Sequence, residues 1–346
     1  MKTEHKIIFS DSREMKDLKN ESVDLMITSP PYPMIQMWDE IFGKQNPEIT
    51  KALKEENGER AFELMNKELD KVWKEVYRVL KVGGIACINI GDATRSIKGK
   101  FQIYTNHARI TNYCLSLGFH ALPEVLWVKE TNKPDKFMGS GLLSVGAYVT
   151  LEHEHILILR KGDKRDFKIE AQKENRQRSA FFWEERNLWF SDKWKDINGV
   201  FQKLNHTKLR ERSGAYPTEL TYRLINMFSV QGDVILDPFL GTGTTTLGAM
   251  SSGRSSIGFE IDLNFKEFID ERLQEIKEIT NEYVKLRLER HLEFIKKRQG
   301  EDKEIKYTNK NYNFPVVTRQ ETNLYIPMIK EIVKKEKNLF EVEHLF

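Results

Sequence analysis

Short apolar runs rich in β-branched residues recur along the chain, at His5–Phe9, Val23–Thr28, Gly84–Ile90, Glu124–Val128, His155–Arg160, Val234–Leu236 and Ser255–Phe259. Each has the length and bounding turn residues of a strand, so seven β-strands are expected. Between several of them the period changes. Phe62, Met65, Leu69, Val72, Val76 and Leu80 recur every three or four residues, which places them on one face of a helix. Gly83-Gly84 is expected to stop that helix and open the next strand. Strands alternating with helices predict an α/β fold with a parallel sheet covered on both faces. A second periodic stretch, with Phe265, Ile269, Leu273, Ile276 and Leu288 on one side, reads as one helix or two from Asp262 to Lys297. The charged tail beyond Gly300 leaves three fates open: wrapping the domain, meeting a partner, or staying partly loose.

Composition narrows the class. The chain has 346 residues, 31% charged and 39% hydrophobic, with a net charge of +3, an ordinary globular balance. No apolar run approaches the roughly 20 residues that a spanning helix needs, and Met1-Lys2-Thr3-Glu4-His5 has no signal-peptide core. A cytoplasmic location with no membrane contact is expected. Two cysteines, Cys87 and Cys114, rule out a disulfide framework and a Cys-rich zinc site. Charge is uneven: residues 160–212 hold 15 Lys or Arg against 9 Asp or Glu, and three of the six tryptophans, Trp183, Trp189 and Trp194. Phe181, Phe182 and Phe190 are interleaved with them. Cations with aromatics suit a nucleic-acid surface, because the cations neutralise phosphates and the rings stack on bases. Arg176 and Arg178 are the candidate backbone contacts. A small satellite core decorated with charge is the competing reading.

Two motifs carry chemistry. Asp237-Pro238-Phe239-Leu240-Gly241-Thr242-Gly243-Thr244-Thr245 follows the apolar run Val234-Ile235-Leu236 and precedes a helical stretch. This is a strand ending in a carboxylate, a Gly turn that lets backbone approach a ligand, then a helix N-terminus. Gly258-Phe259-Glu260 ends the next strand, where nucleotide-binding folds place the acceptor for a ribose diol. Far upstream, Thr28-Ser29-Pro30-Pro31-Tyr32 closes another strand with a hydroxyl, two rigid prolines and a ring. Glu152, His153, Glu154 and His155 alternate, which puts the histidines on one side of a strand and the glutamates on the other. No third ligand accompanies the histidines and no metal is assigned. Gly91-Asp92 reads as a turn at the cleft edge, with contact to DNA or base as the other reading.

Together the motifs resemble the amino-methylating DNA methyltransferases, with Ser-Pro-Pro-Tyr ahead of the Gly-rich turn as in the permuted beta group and its N4-cytosine members. The resemblance covers roughly residues 5–265. It implies a Rossmann-like, seven-stranded, mostly parallel sheet whose last strand is antiparallel, with S-adenosylmethionine (SAM) as cofactor and base flipping of double-stranded DNA. The implied order is a catalytic half at residues 1–160, a target-recognition region at 161–212, a SAM-binding half at 213–265 and a helical extension at 266–346. Glu260 would bind the ribose, Asp237 the methionine ammonium and Phe239 the adenine ring, with Gly241, Gly243 and Thr244 forming the turn. Asp11, after Phe9-Ser10, resembles the acidic turn near the adenine amine, with Ser10 where the family has glycine; an exposed turn aspartate is the other reading. Tyr216, Pro217 and Glu219, in Ala215-Tyr216-Pro217-Thr218-Glu219-Leu220, resemble the element holding the methionine end, without its usual histidine-proline form. Ser29 and the Pro30 carbonyl would accept the target amine's hydrogens, Pro30 and Pro31 would stiffen the turn, and Tyr32 would stack on the flipped base. Neither cysteine follows a proline, unlike the nucleophile of ring-carbon cytosine methyltransferases. Serine in the first position points to cytosine N4, with adenine N6 the alternative and a non-catalytic SAM-binding DNA protein a further one. A restriction-modification role, with a cognate endonuclease as functional partner, follows from the resemblance alone.

Overall fold

In a computed structural model, residues 1–129, 138–197 and 216–345 are described. All seven expected strands form and join one ten-stranded sheet. They are β1 (Lys2–Phe9), β2 (Val23–Thr28), β3 (Leu80–Ile90), β4 (Phe119–Val128), β5 (His153–Lys161), β7 (Val234–Asp237) and β8 (Ser255–Glu260). Three further strands complete it: β6 (Lys193–Trp194), β9 (Met328–Glu336) and β10 (Leu339–Leu345). The order across the sheet is β6-β4-β5-β3-β2-β7-β8-β1-β10-β9. β5 runs antiparallel to both β3 and β4, and β10 antiparallel to both β1 and β9, while the remaining pairings are parallel.

The seam between the halves of the chain lies at the centre. β2 pairs with β7, Leu25 opposite Ile235 and Met26 opposite Leu236. β2 is buried at every position, as a central strand covered on both faces must be. Helix α1 (Gly58–Val79) supplies one cover, burying Met65, Leu69, Val72, Trp73 and Val76. Its N-terminus is capped by Asn57, whose side chain accepts from Arg60 N. The helix stops before the expected glycines, because Leu80 already belongs to β3 and pairs with Val23. Gly83 then sits inside that strand at φ +83°, next to a register shift opposite β2. Helix α2 (Asn106–Leu117) packs beside α1, and α5 (Thr218–Phe228) covers the other face through Leu220, Leu224 and Ile225.

The aromatic segment divides between core and surface. It forms two short helices, α3 (Glu170–Arg178) and α4 (Trp183–Trp189). Phe182, Trp189 and Trp194 are buried, and Trp194 Nε1 donates to the Trp189 carbonyl at 2.9 Å. The satellite-core reading therefore holds for these three rings, which have no face free for a base. Residues 198–212 of the expected recognition region, and 213–215 at the start of the expected SAM half, lie outside the described residues. The long helix of the tail ends at Gly300, in α7 (Lys266–Gly300). After a small strand pair, Tyr307–Thr308 with Pro315–Val316, and a short helical turn at Arg319–Glu321, the chain returns as the β9–β10 hairpin, which extends the sheet beyond β1 and buries Ile329, Phe340 and Val342 against Ile269 and Leu273 of α7.

Candidate active site

The predicted residues gather at one edge, because parallel strands bring their carboxyl ends together. Ser29 follows the end of β2, Asp237 ends β7, Glu260 ends β8, and Asp11 follows β1.

Asp237 is buried; three protein groups donate to it, and the Tyr216 hydroxyl, which shares the shorter bond with Thr245, stands beside it. Thr28 Oγ1 approaches at 2.6 Å, Thr245 Oγ1 at 2.6 Å, Phe239 N at 3.0 Å and the Tyr216 hydroxyl at 3.3 Å. A carboxylate offers about four lone-pair sites, so these bonds occupy most of them. Burial raises its pKa against the pull of these donors. Asp237 thus knots β2, β7 and the helix α6 (Thr244–Ser252) together.

Glu260 accepts from Gly241 N and Asp262 N, each at 2.8 Å. Burial pushes its carboxyl up to about 7 despite these bonds. Gly241 has φ +53°, and a Cβ there would meet no atom closer than 4.0 Å, so its outer side is open. Gly243 at φ +82° is the N-cap of α6. An acceptor, an open turn and a helix N-terminus at one strand edge suit a nucleoside with hydroxyl and charged ends. Phe239 leans edge-on against Trp73, with ring centroids 6.1 Å apart, and Thr244 is buried with its hydroxyl 3.3 Å from that of Thr242.

The other predicted cofactor residues are engaged in different ways. Tyr216 shares a 2.7 Å hydrogen bond with Thr245, and Pro217 is the N-cap of α5. Glu219 accepts from Arg223 Nε at 2.8 Å. Asp11 accepts from Arg13 N and its guanidinium, which hold its carboxyl low although burial would raise it.

At the methyl-transfer corner, Ser29 and Tyr32 hydroxyls stand 3.0 Å apart. The Tyr32 hydroxyl donates to Glu154 Oε2 at 3.0 Å and accepts from Asn89 Nδ2 at 2.9 Å. Lys129 pairs with the other oxygen of Glu154. Burial, then the Glu154 charge, raises the Tyr32 pKa well above its usual value. Gly91 allows the ring in, since a Cβ there would lie 2.9 Å from Tyr32 Cε2. Asn89 and Glu154 were not singled out as site residues. The available signals were a lone amide inside the apolar run Ile88-Asn89-Ile90 and the alternation around Glu154.

That alternation sends the histidines to the other side. His155 stacks on His107, centroids 3.9 Å apart and planes within 9°, and Asp92 accepts from His107 Nδ1 at 2.8 Å. Asp92, His107 and His155 offer ligand atoms within 4.8 Å of one another. Stacked rings direct their in-plane lone pairs parallel to each other, however, and these do not converge on one ion. Asp92 is thus the His107 partner.

Arg176 and Arg178 fall at the opposite edge. Their helix is tied to the loop before β7, through Asn175 Nδ2 to the Gln231 carbonyl at 2.8 Å and Ser179 Oγ to Gln231 N at 2.8 Å. Arg176 stacks over Phe167 at 4.8 Å. Arg176 and Arg178, the candidate backbone contacts, thus lie by the amino ends of the strands, away from the carboxyl ends where Ser29, Asp237 and Glu260 gather. Among the described residues, no helix is long and apolar enough to cross a membrane.

The family profile described as DNA methylase matches residues 23–272. The type II methyltransferase M.MthZI of Methanothermobacter thermautotrophicus is 51% identical over 342 residues, covering 99% of this chain and 95% of that protein. M.MjaI of Methanocaldococcus jannaschii, also a type II methyltransferase, is 49% identical over 282 residues, 78% of this chain and 91% of that protein. A putative DNA modification methylase of Thermus thermophilus, solved with S-adenosyl-L-methionine, superposes with a TM-score of 0.60 at 30% identity, covering 79% of this chain and 95% of that one. The PvuII cytosine-N4-specific DNA methyltransferase shares the fold, with a TM-score of 0.50 at 18% identity over 76% of this chain and 83% of that one.

Proposed function

This chain belongs to the N6/N4 family of DNA methylases, and on that premise we propose that it methylates the exocyclic N4 of cytosine in double-stranded DNA. SAM is the cofactor and supplies an activated methyl group when bound. Glu260 fits its ribose diol, and Gly241 and Gly243 form the turn beneath it. Asp237 acts from behind, holding that turn against β2.

An exocyclic amine conjugated to its ring is a weak nucleophile, since its lone pair is delocalised. Acceptors for both its hydrogens draw the nitrogen toward tetrahedral geometry and release the lone pair. Ser29 Oγ and the Pro30 carbonyl take those roles, and the two prolines keep the carbonyl from turning away. Tyr32 receives the base once it has left the duplex. The observation that carries the choice of cytosine is Ser29 itself, a serine at the position where an aspartate would favour adenine in the resembled group. The two type II methyltransferase relatives support a protective role in a restriction-modification system, with a cognate endonuclease as functional partner.

Nucleoside analysis of DNA treated with enzyme and SAM tests the reading. N4-methylcytosine is expected. N6-methyladenine would overturn the choice of base and leave the enzyme class standing, while absence of any methylated nucleoside would favour a SAM-binding protein without turnover.

A further inference from the structure

The Tyr32 hydroxyl is surrounded by side chains from three separate parts of the sheet. Ser29, after β2, lies 3.0 Å away; Asn89 of β3 lies 2.9 Å away; Glu154 of β5 lies 3.0 Å away. Donor counting leaves one arrangement. An amide nitrogen only donates, and an ionised carboxylate only accepts. Asn89 Nδ2 also reaches Glu154 Oε2 at 2.7 Å, so exchanging its amide atoms would set oxygen against carboxylate. Lys129 pairs with Oε1 of the same carboxylate. The single phenolic proton of Tyr32 therefore goes to Glu154. Its oxygen then accepts from Asn89 and from Ser29, and the Ser29 proton is committed to Tyr32. The Ser29 lone pairs remain.

We propose that Glu154 is a positioning residue that sets the direction of this hydrogen-bond chain, so that Ser29 meets the target amine as an acceptor only. The inference rests on Ser29 being the amine acceptor, as proposed above. Direction matters because a serine hydroxyl is free to rotate. Turned the other way, it would donate to the amine nitrogen and occupy the lone pair that must attack the methyl group. Glu154 removes that option from 122 residues away from Tyr32, without touching substrate. Asn89 assists by filling the second acceptor site of the phenol. Its own Oδ1 is buried with no hydrogen-bond partner among the described residues, so the amide is held from the nitrogen side alone.

The test is a double-mutant cycle read in single-turnover methyl transfer at saturating SAM and DNA. Glu154→Ala and Tyr32→Phe should each slow transfer by about tenfold or more, the usual weight of a hydrogen bond to a charged group. SAM and DNA dissociation constants should stay within about twofold of wild type, the size of a minor contact. The double variant should be no slower than the slower single variant, because both changes cut the same chain. Glu154→Gln, whose amide oxygen still accepts from Tyr32, should keep more activity than Glu154→Ala. Additive losses in the double variant would overturn the proposal. So would a wild-type rate in Tyr32→Phe, which keeps the ring and gives an answer even where Glu154→Ala fails to fold. An inactive wild-type enzyme would instead overturn the function proposed above, which separates the two failures.

Discussion

In the cofactor turn, Asp237 takes bonds from Phe239 two residues on and Thr245 eight residues on, and Glu260 closes the turn from the next strand. The Tyr32 hydroxyl instead meets Asn89, 57 residues away, and Glu154, 122 residues away. The first region is mostly local, with Thr28 of β2 as its long-range donor to Asp237. The second exists only after the strands that carry it have paired in register. A slip of β5 by one residue would send Glu154 to the histidine side and replace it with His155 or His153. The methyl-transfer corner therefore depends on strand pairing more heavily than the cofactor turn does.

The largest expected effect breaks one region and spares the other. Ser29→Ala should lower single-turnover methyl transfer by about 100-fold, the scale on which one preorganised polar group acts at a reacting atom. Calorimetric affinity for SAM should barely change, and a parallel loss of SAM binding would show that the two regions are one site in energy as well as in space.

Glu260→Ala should do the converse, weakening SAM by about tenfold or more, since hydrogen bonds to an ionised acceptor each contribute about 1.5–3 kcal/mol. Its pKa near 7 adds a pH signature. The ionised carboxylate is the better acceptor for a diol, so binding should favour proton release and SAM affinity should rise with pH through about 7. Glu260→Gln should flatten that dependence. An unchanged affinity in a folded Glu260→Ala protein would remove this residue from the cofactor site.

Thr28→Val sharpens the comparison at the seam, where both regions meet. It preserves shape, removes one donor to buried Asp237 and should cost about 1–3 kcal/mol of folding stability, the penalty of an unsatisfied buried group. Denaturant melts would register it, and full stability would mean that Asp237 is already satisfied by its remaining donors.

The smallest effect belongs to Arg176 and Arg178. Neutralising both should leave the salt dependence of DNA binding unchanged, because their helix is anchored by the amino ends of the strands. A slope reduced by about 0.9 per residue would return them to the phosphate backbone.

Much of this molecule is legible along the chain. Seven strands, the long helix before β3 and both motif turns follow from period, glycines and prolines, because these act on neighbouring residues and need no tertiary partner. The separation of Glu154 from His155 is legible for the same reason, since alternation in a strand is a local property. What each side then meets is not. Glu154 finds Tyr32, and His155 finds His107, only through the order in which β2, β3 and β5 lie in the sheet. The same holds for Phe182, Trp189 and Trp194: their composition suits a base-stacking surface, and only packing shows them buried. The tail makes the point once more. Leu339–Leu345 alternates half-buried and buried positions as a strand should, yet its place beside β1 depends on pairing with residues more than 300 positions earlier. Periodicity along a chain specifies which face a residue occupies. Its partner there is decided by contacts whose sequence separation leaves no local trace.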